Sequence, residues 1–210
     1  MDKETMDLLN TLPPGTEAYA CGLTDLDMAD VPQERIPKLK KQLKNNGEHI
    51  ALTAARILCC WSDEDGFEFL RSFVCDSAPL NANWMPHRLR NYDDTYKHIL
   101  DAFVSYWAKK SDVGLGDLAR DKIFDPVIRI VEYSNQQAFE IRHLFWLVEE
   151  KGFTEYLPAL KEHLTEILKS PEFHHWKVAD CAHLLMKFDP DFVQQVLAAH
   201  GKTLADYPNK

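Results

Sequence analysis

The segments IPKLKKQL (residues 36–43) and LPALKEHL (157–164) share one pattern, apolar-Pro-x-Leu-Lys-x-x-Leu. Their apolar positions fall three and four apart, as one face of a helix requires. Each is followed, after a polar break, by a second amphipathic stretch: EHIALTAARILCCW after Asn45-Asn46-Gly47, and EFHHWKVADCAHLLMKF after Ser170-Pro171. Two distant parts of the chain therefore use the same helix-turn-helix design, and a recurring supersecondary unit constrains the fold more than any single residue does.

The same unit can be traced between them as 65–75 with 93–109, then 117–133 with 136–150. Ile50, Tyr96, Phe139 and Trp176 serve as equivalent starts of the inner helices, at intervals of 46, 43 and 37 residues. Small residues (Ala54, Ala55, Ala179, Ala182) stand where helices must approach closely. Ile57, Leu58, Trp61, Phe145, Leu147, Leu184 and Leu185 fill the other side. Residues 1–31, carrying Pro13-Pro14-Gly15, read as an N-terminal cap, 32–188 as the repeats, and 189–210 as a closing helix and tail with Gly201 at the helix end. Residues 76–92, running on to Asp94, interrupt the second unit; Pro79, Pro86 and the Asn residues predict a long surface loop there.

IALTAARIL and WKVADCAHL resemble the second helix of a HEAT repeat, and the Pro-x-Leu segments resemble its first, Pro-bent helix. The resemblance covers residues 32–200 and implies an all-α fold, a right-handed α-solenoid of about four degenerate helical hairpins in one domain. Ala51 and Lys177 stand where the family often carries an Arg, so a regular Asp-Arg ladder is not expected.

With 210 residues, 45% of them hydrophobic and 11% aromatic, the chain is long enough to bury a continuous core. Five cysteines, with Cys59 and Cys60 adjacent on an apolar helix face, argue against a complete disulfide framework and for a reducing compartment. The acidic N-terminus MDKETMDLLNTLPPG does not read as a signal peptide, and no apolar run approaches a membrane span. A cytoplasmic, soluble protein is the expectation. The balance of 24 Lys and Arg against 33 Asp and Glu leaves a formal charge of −9, which opposes attraction to phosphate backbones and anionic membranes. Seven of the acids lie in residues 1–30, against one base, Lys3.

CAHLLMKFDP (181–190), preceded by His174-His175, raises the question of a metal site. On a helix His174 and Cys181 share a face, whereas His175 points about 100° away and His183 about 200° from Cys181. One helix cannot converge them on an ion, and CxxC and HExxH spacings are lacking. Cys181 reads as a small buried hydrophobe, and no metal or cofactor is expected. A Cys-His nucleophile would need an exposed thiolate, which Cys59, Cys60 and Cys181 on inward faces do not suit. Gly114-x-Gly116 reads as a helix end followed by a helix start, and Asp63-Asp65 as helix caps before catalytic acids.

The remaining reading is a binding surface without catalysis. The loop supplies Trp84, Met85, His87, Arg88, Arg90, Tyr92, Asp93 and Asp94, rich in the residue types that dominate interfaces, and the turn Asp63-Glu64-Asp65 adds negative charge. By class, size and charge the chain resembles HEAT-like immunity proteins of bacterial toxin systems, with no motif matched residue by residue. That resemblance implies a toxin-like, basic protein partner bound tightly through complementary charge. The alternatives are a scaffold or regulatory subunit, and a DNA-glycosylase-like or lyase-like HEAT-fold enzyme. The enzyme reading lacks the clustered Lys and Arg of a duplex groove, since PKLKKQLK is the only dense basic stretch.

Overall fold

The computed structural model describes residues 2–44, 47–77, 84–87 and 92–208. Among them the regular structure is helical, and one isolated antiparallel bridge joins Pro86 to Asp93. The all-α class expected from the periodicity is the class the chain adopts. The helices are α1 (Lys3–Asn10), α2 (Ile36–Gln42), α3 (Glu48–Cys60), α4 (Glu64–Ser72), α5 (Thr95–Asp112), α6 (Gly116–Ser134), α7 (Arg142–Lys151), α8 (Leu157–Ile167), α9 (Pro171–Leu185) and α10 (Pro190–Ala199). No helix among the described residues is long and apolar enough to cross a membrane. Contacts divide the chain into two compact units, Met1–Pro79 with His98–Val127, and Leu80–Lys97 with Ile128–Lys210.

In the first unit α3 is the central element. Ala51, Leu52, Ala54, Ala55, Ile57, Leu58, Cys59 and Cys60 are all buried, so apolar residues occupy more than one stripe of the helix and must be covered from several sides. α1 and α2 supply Leu8, Leu9 and Leu39, and the segment after α1 adds Ala20, Leu23, Leu26 and Val31. Full burial of a leucine such as Leu26 or Leu39 contributes about 1.5–3 kcal/mol. The segment is also tied down by polar bonds: the Trp61 indole donates to the Leu23 carbonyl at 2.7 Å, and Lys109 Nζ donates to the Leu26 carbonyl at 2.6 Å.

α4 lies against α3 at a distance only glycine permits. A Cβ on Gly66 would stand 2.4 Å from Leu58 Cβ and 2.6 Å from the Cys59 nitrogen. On its other flank α4 stacks Phe67 on Tyr106, with centroids 4.6 Å apart, and meets the edge of Phe103 at 5.5 Å. The helix expected over 65–75 ends as α-helix at Ser72 and continues as a π-turn over Phe73–Ser77.

In the second unit α8 packs on α9, which is also flanked by α7 and α10. Pro171 and Pro190 sit in the first turns of α9 and α10, where a missing N–H costs nothing, and Asp189 caps α10 by accepting from the Phe192 amide at 3.1 Å. Tyr96 packs its ring on Tyr133 and Phe139, with centroids 4.9 and 5.7 Å away. The helix expected over 136–150 begins only at Arg142. The carbonyls of Ser134 and Gln137 are taken instead by Lys177 Nζ, and Ser134 Oγ donates to the Phe139 carbonyl at 3.4 Å. The amides of Asn135, Gln136 and Gln137 still donate to the carbonyls of Glu132 and Tyr133, but side chains take up carbonyls that a continuing helical ladder would have satisfied.

Candidate functional site

The loop residues expected to bind a partner form a braced corner of the second unit, leading into α5. Asp93 Oδ1 accepts from the Thr95 hydroxyl at 2.7 Å, from the Met85 amide at 3.1 Å and from the Thr95 amide at 3.2 Å. The His87 amide donates to the Tyr92 carbonyl and the Asp94 amide to the Met85 carbonyl, both at 2.8 Å. Asp93 therefore works as a turn and helix-start residue, which is the reason an Asp stands there. Asp94 is buried, and its Oδ1 meets no hydrogen-bond donor among the described residues. Arg88 and Arg90 lie outside the described residues.

An aromatic row runs from this corner onto α9. The His87 and Tyr92 rings are 4.8 Å apart, and Tyr92 stacks on Trp176 at 6.3 Å with planes 24° apart. Trp84, Met85, His87, Tyr92 and Trp176 are all half-buried, and Phe173, one helical turn before Trp176, is 49% exposed. Sequence reasoning used Trp176 only to mark a repeat start. Its place beside Tyr92 comes from chain segments more than eighty residues apart, so no local signal could have found it.

The acidic turn of the first unit has internal partners. Asp63 caps α4 through the amides of Asp65 at 2.9 Å and Gly66 at 3.4 Å, and Lys40 Nζ reaches Asp63 at 2.8 Å and Asp65 at 2.9 Å. The two aspartates hold Lys40 more firmly protonated than an ordinary lysine. Glu64 accepts from Tyr106 at 2.8 Å, Lys110 at 2.8 Å and Lys122 at 2.7 Å. Burial works against its charge, yet the bonds from Lys110, Lys122 and Tyr106 outweigh it and hold the carboxyl down to about 2. These three acids join α2, α4, α5 and α6 within the unit.

Cys59, Cys60 and Cys181 are built as core, whereas Cys21 is exposed and Cys75 half-buried. Cys59 and Cys181 are fully buried, with each Sγ 3.5 Å from a carbonyl oxygen, of Ala102 and Leu160 respectively. Burial pushes the Cys60 thiol up to about 11 and raises Cys59 and Cys181 as well, so none is a ready thiolate at neutral pH. His174 shares the buried face with Cys181, while His175 is exposed and His183 Nε2 donates to the Tyr207 carbonyl at 2.9 Å. Among the described residues no group of three or more His, Cys, Asp and Glu is arranged to hold a metal ion.

A second polar cluster, legible only in three dimensions, sits inside the second unit. His163 Nδ1 is 2.5 Å from Asn135 Oδ1, and Lys177 Nζ lies against Ser134 and Gln137. Burial pushes His174 down to about 4, with the Lys177 charge adding to the shift and the Asn135 backbone opposing it. Burial, then the charges of Lys177 and His174, puts His163 well below the usual range too. His163 Nε2 and His174 Nδ1 are buried without a hydrogen-bond partner among the described residues.

No known family model matches the chain, and no curated protein or solved structure is significantly similar to it. The aromatic corner is half-buried with exposed Phe173 beside it; the acids Asp63, Glu64 and Asp65 are bonded within the first unit, and the cluster around His163 and Lys177 is buried in the second.

Proposed function

We propose that the chain is a non-catalytic protein-binding module of the immunity type, which neutralises a basic, toxin-like protein by tight binding. In this reading the helices form a HEAT-like α-solenoid of four degenerate hairpins, and the protein works in the cytoplasm. The observation that supports it best is the half-buried row His87-Tyr92-Trp176 with exposed Phe173 beside it, set on a corner braced by Asp93. Tyr and Trp side chains that are already held in place lose little entropy on docking and bury large apolar areas, which is what interface anchors require. The formal charge of −9 favours encounter with a basic partner.

The test is affinity capture from the source cells at low and then moderate salt, followed by co-expression of the captured protein with its captor. One stoichiometric basic protein, whose toxicity to cells the captor relieves, is the expected result. Tyr92→Ala and Trp176→Ala should each weaken the complex by about tenfold or more while circular dichroism stays helical. Recovery of nucleic acid, with cleavage of a damaged duplex, would replace this reading with the glycosylase-like or lyase-like one.

A further inference from the structure

The corner that carries the aromatic row also holds a buried carboxylate oxygen with no donor. The antiparallel bridge between Pro86 and Asp93 sets Met85 opposite Asp94 and His87 opposite Tyr92, through the Asp94 amide on the Met85 carbonyl and the His87 amide on the Tyr92 carbonyl. Opposed residues of such a pair share a face, and alternate residues of an extended strand point the same way. Tyr92 and Asp94 therefore leave the turn on the side where the His87 and Tyr92 rings meet. Asp93, between them, turns away and takes the amides of Met85 and Thr95.

Asp94 is 6% exposed, and its Oδ1 meets no donor among the described residues. Standing just before α5 it could cap the first turn of that helix, but the Thr95 amide goes to Asp93 instead. Two lysines of the second unit that could answer it are engaged elsewhere: Lys97, three residues on, has its Nζ 4.0 Å from Glu140, and Lys177 is held by Ser134 and Gln137. A buried acceptor left without a donor costs about 1–3 kcal/mol, and more when it is charged. That desolvation is complete in the free fold, so a donor arriving from outside makes its bond at nearly full strength.

The aromatic row indicates which donor. Tyr92 and Trp176 lie within 24° of parallel and are both half-buried, so together they offer a flat ring surface beside the carboxylate. A guanidinium is planar and always charged, stacks on aromatic faces and grips a carboxylate with two parallel N–H groups. An ammonium is a strongly hydrated point charge and gains less from either neighbour.

We infer that this corner is the receptor for an arginine side chain of the partner, with the guanidinium lying on the row of Tyr92 and Trp176 and donating to Asp94. The inference rests on the reading of the row as the partner-binding surface and names the chemical group that the surface takes.

The experiment is residue-resolved NMR titration of the whole protein with short capped glycine peptides that carry one arginine, one lysine or one citrulline, together with thermal melts. Shifts centred on Tyr92, Asp94 and Trp176 are expected with arginine, and an affinity about tenfold weaker with lysine and with citrulline, which keeps the shape and loses the charge. Asp94→Asn should weaken arginine binding by about tenfold or more while its thermal midpoint holds or rises, because the unpaired buried charge is gone. A falling midpoint would make the carboxylate a structural group and overturn the inference, as would arginine binding that the variant leaves unchanged. Equal shifts at Tyr92 and Trp176 with all three peptides would overturn the arginine and leave the aromatic surface standing. No response at the corner to any peptide would overturn the receptor; capture of a basic protein whose binding Tyr92→Ala weakens would still uphold the binding-module reading.

Discussion

Lys177 Nζ donates to the Gln137 carbonyl at 2.6 Å from a side chain only 3% exposed, and on the same ammonium sit the Ser134 carbonyl and, at 3.1 Å, Ser134 Oγ. Ser134 ends α6, so the cation lies where the helix dipole is negative and where carbonyls have lost their intrahelical partners. One buried lysine thereby terminates α6 and shapes the chain that leads to α7.

Replacing it should show this. Lys177→Met keeps most of the volume but leaves the carbonyls of Ser134 and Gln137 without their donor, and should lower stability by about 2 kcal/mol at neutral pH. Burial pushes the lysine down to about 7 from 10.5, so between those values the unfolded chain binds more protons than the folded one and stability rises with pH. The wild type should therefore gain urea resistance from pH 7 toward about pH 10, and Lys177→Met should lose that gain. A midpoint raised by the methionine would mean that desolvating the cation outweighs its hydrogen bonds.

His163 and His174 make the second unit sensitive to acid. Their folded-state values are depressed, so their contribution is complete above the unfolded value of 6.5 and is lost as pH falls through the folded one, about 4 for His174. The drop at His174 corresponds to about 3 kcal/mol of stability lost across that window. Urea midpoints measured between neutral pH and pH 4 should fall steeply below 6.5, and His174→Phe should flatten the profile. An unchanged profile in that variant would assign the acid sensitivity elsewhere.

Gly66→Ala tests the α3–α4 approach. A methyl 2.4 Å from Leu58 Cβ and 2.6 Å from the Cys59 nitrogen must push α4 away, since backbone cannot give as a flexible side chain would. A loss of about 1–3 kcal/mol is expected despite the better helix propensity of alanine, read as a lowered thermal midpoint. A raised midpoint would show that the helices separate freely.

Helices were legible wherever an apolar stripe and its ends were both written locally. The repeated Pro-x-Leu pattern predicted starts at Ile36 and Leu157, which are the observed first residues of α2 and α8, and the Gly114-x-Gly116 reading as an end followed by a start is what the turn shows. Asp63 was readable as a cap because capping depends on two or three neighbouring residues. Residues 136–141 were misassigned to a helix because the group that satisfies their backbone, Lys177, comes from some forty residues away. The roles of Glu64, Trp176 and the histidine pair were invisible for the same reason.

The sequence by itself determined that this chain is all-α, where most of its helices begin, and that Cys59, Cys60 and Cys181 face inward, because periodicity, caps and thiol neighbours act over one or two turns. Only the tertiary structure decided which acids are spent on internal ion pairs, which aromatic rings meet, and where a buried lysine and two neutral histidines share a core. Those outcomes depend on distances and dielectric surroundings that exist only after distant segments have packed together.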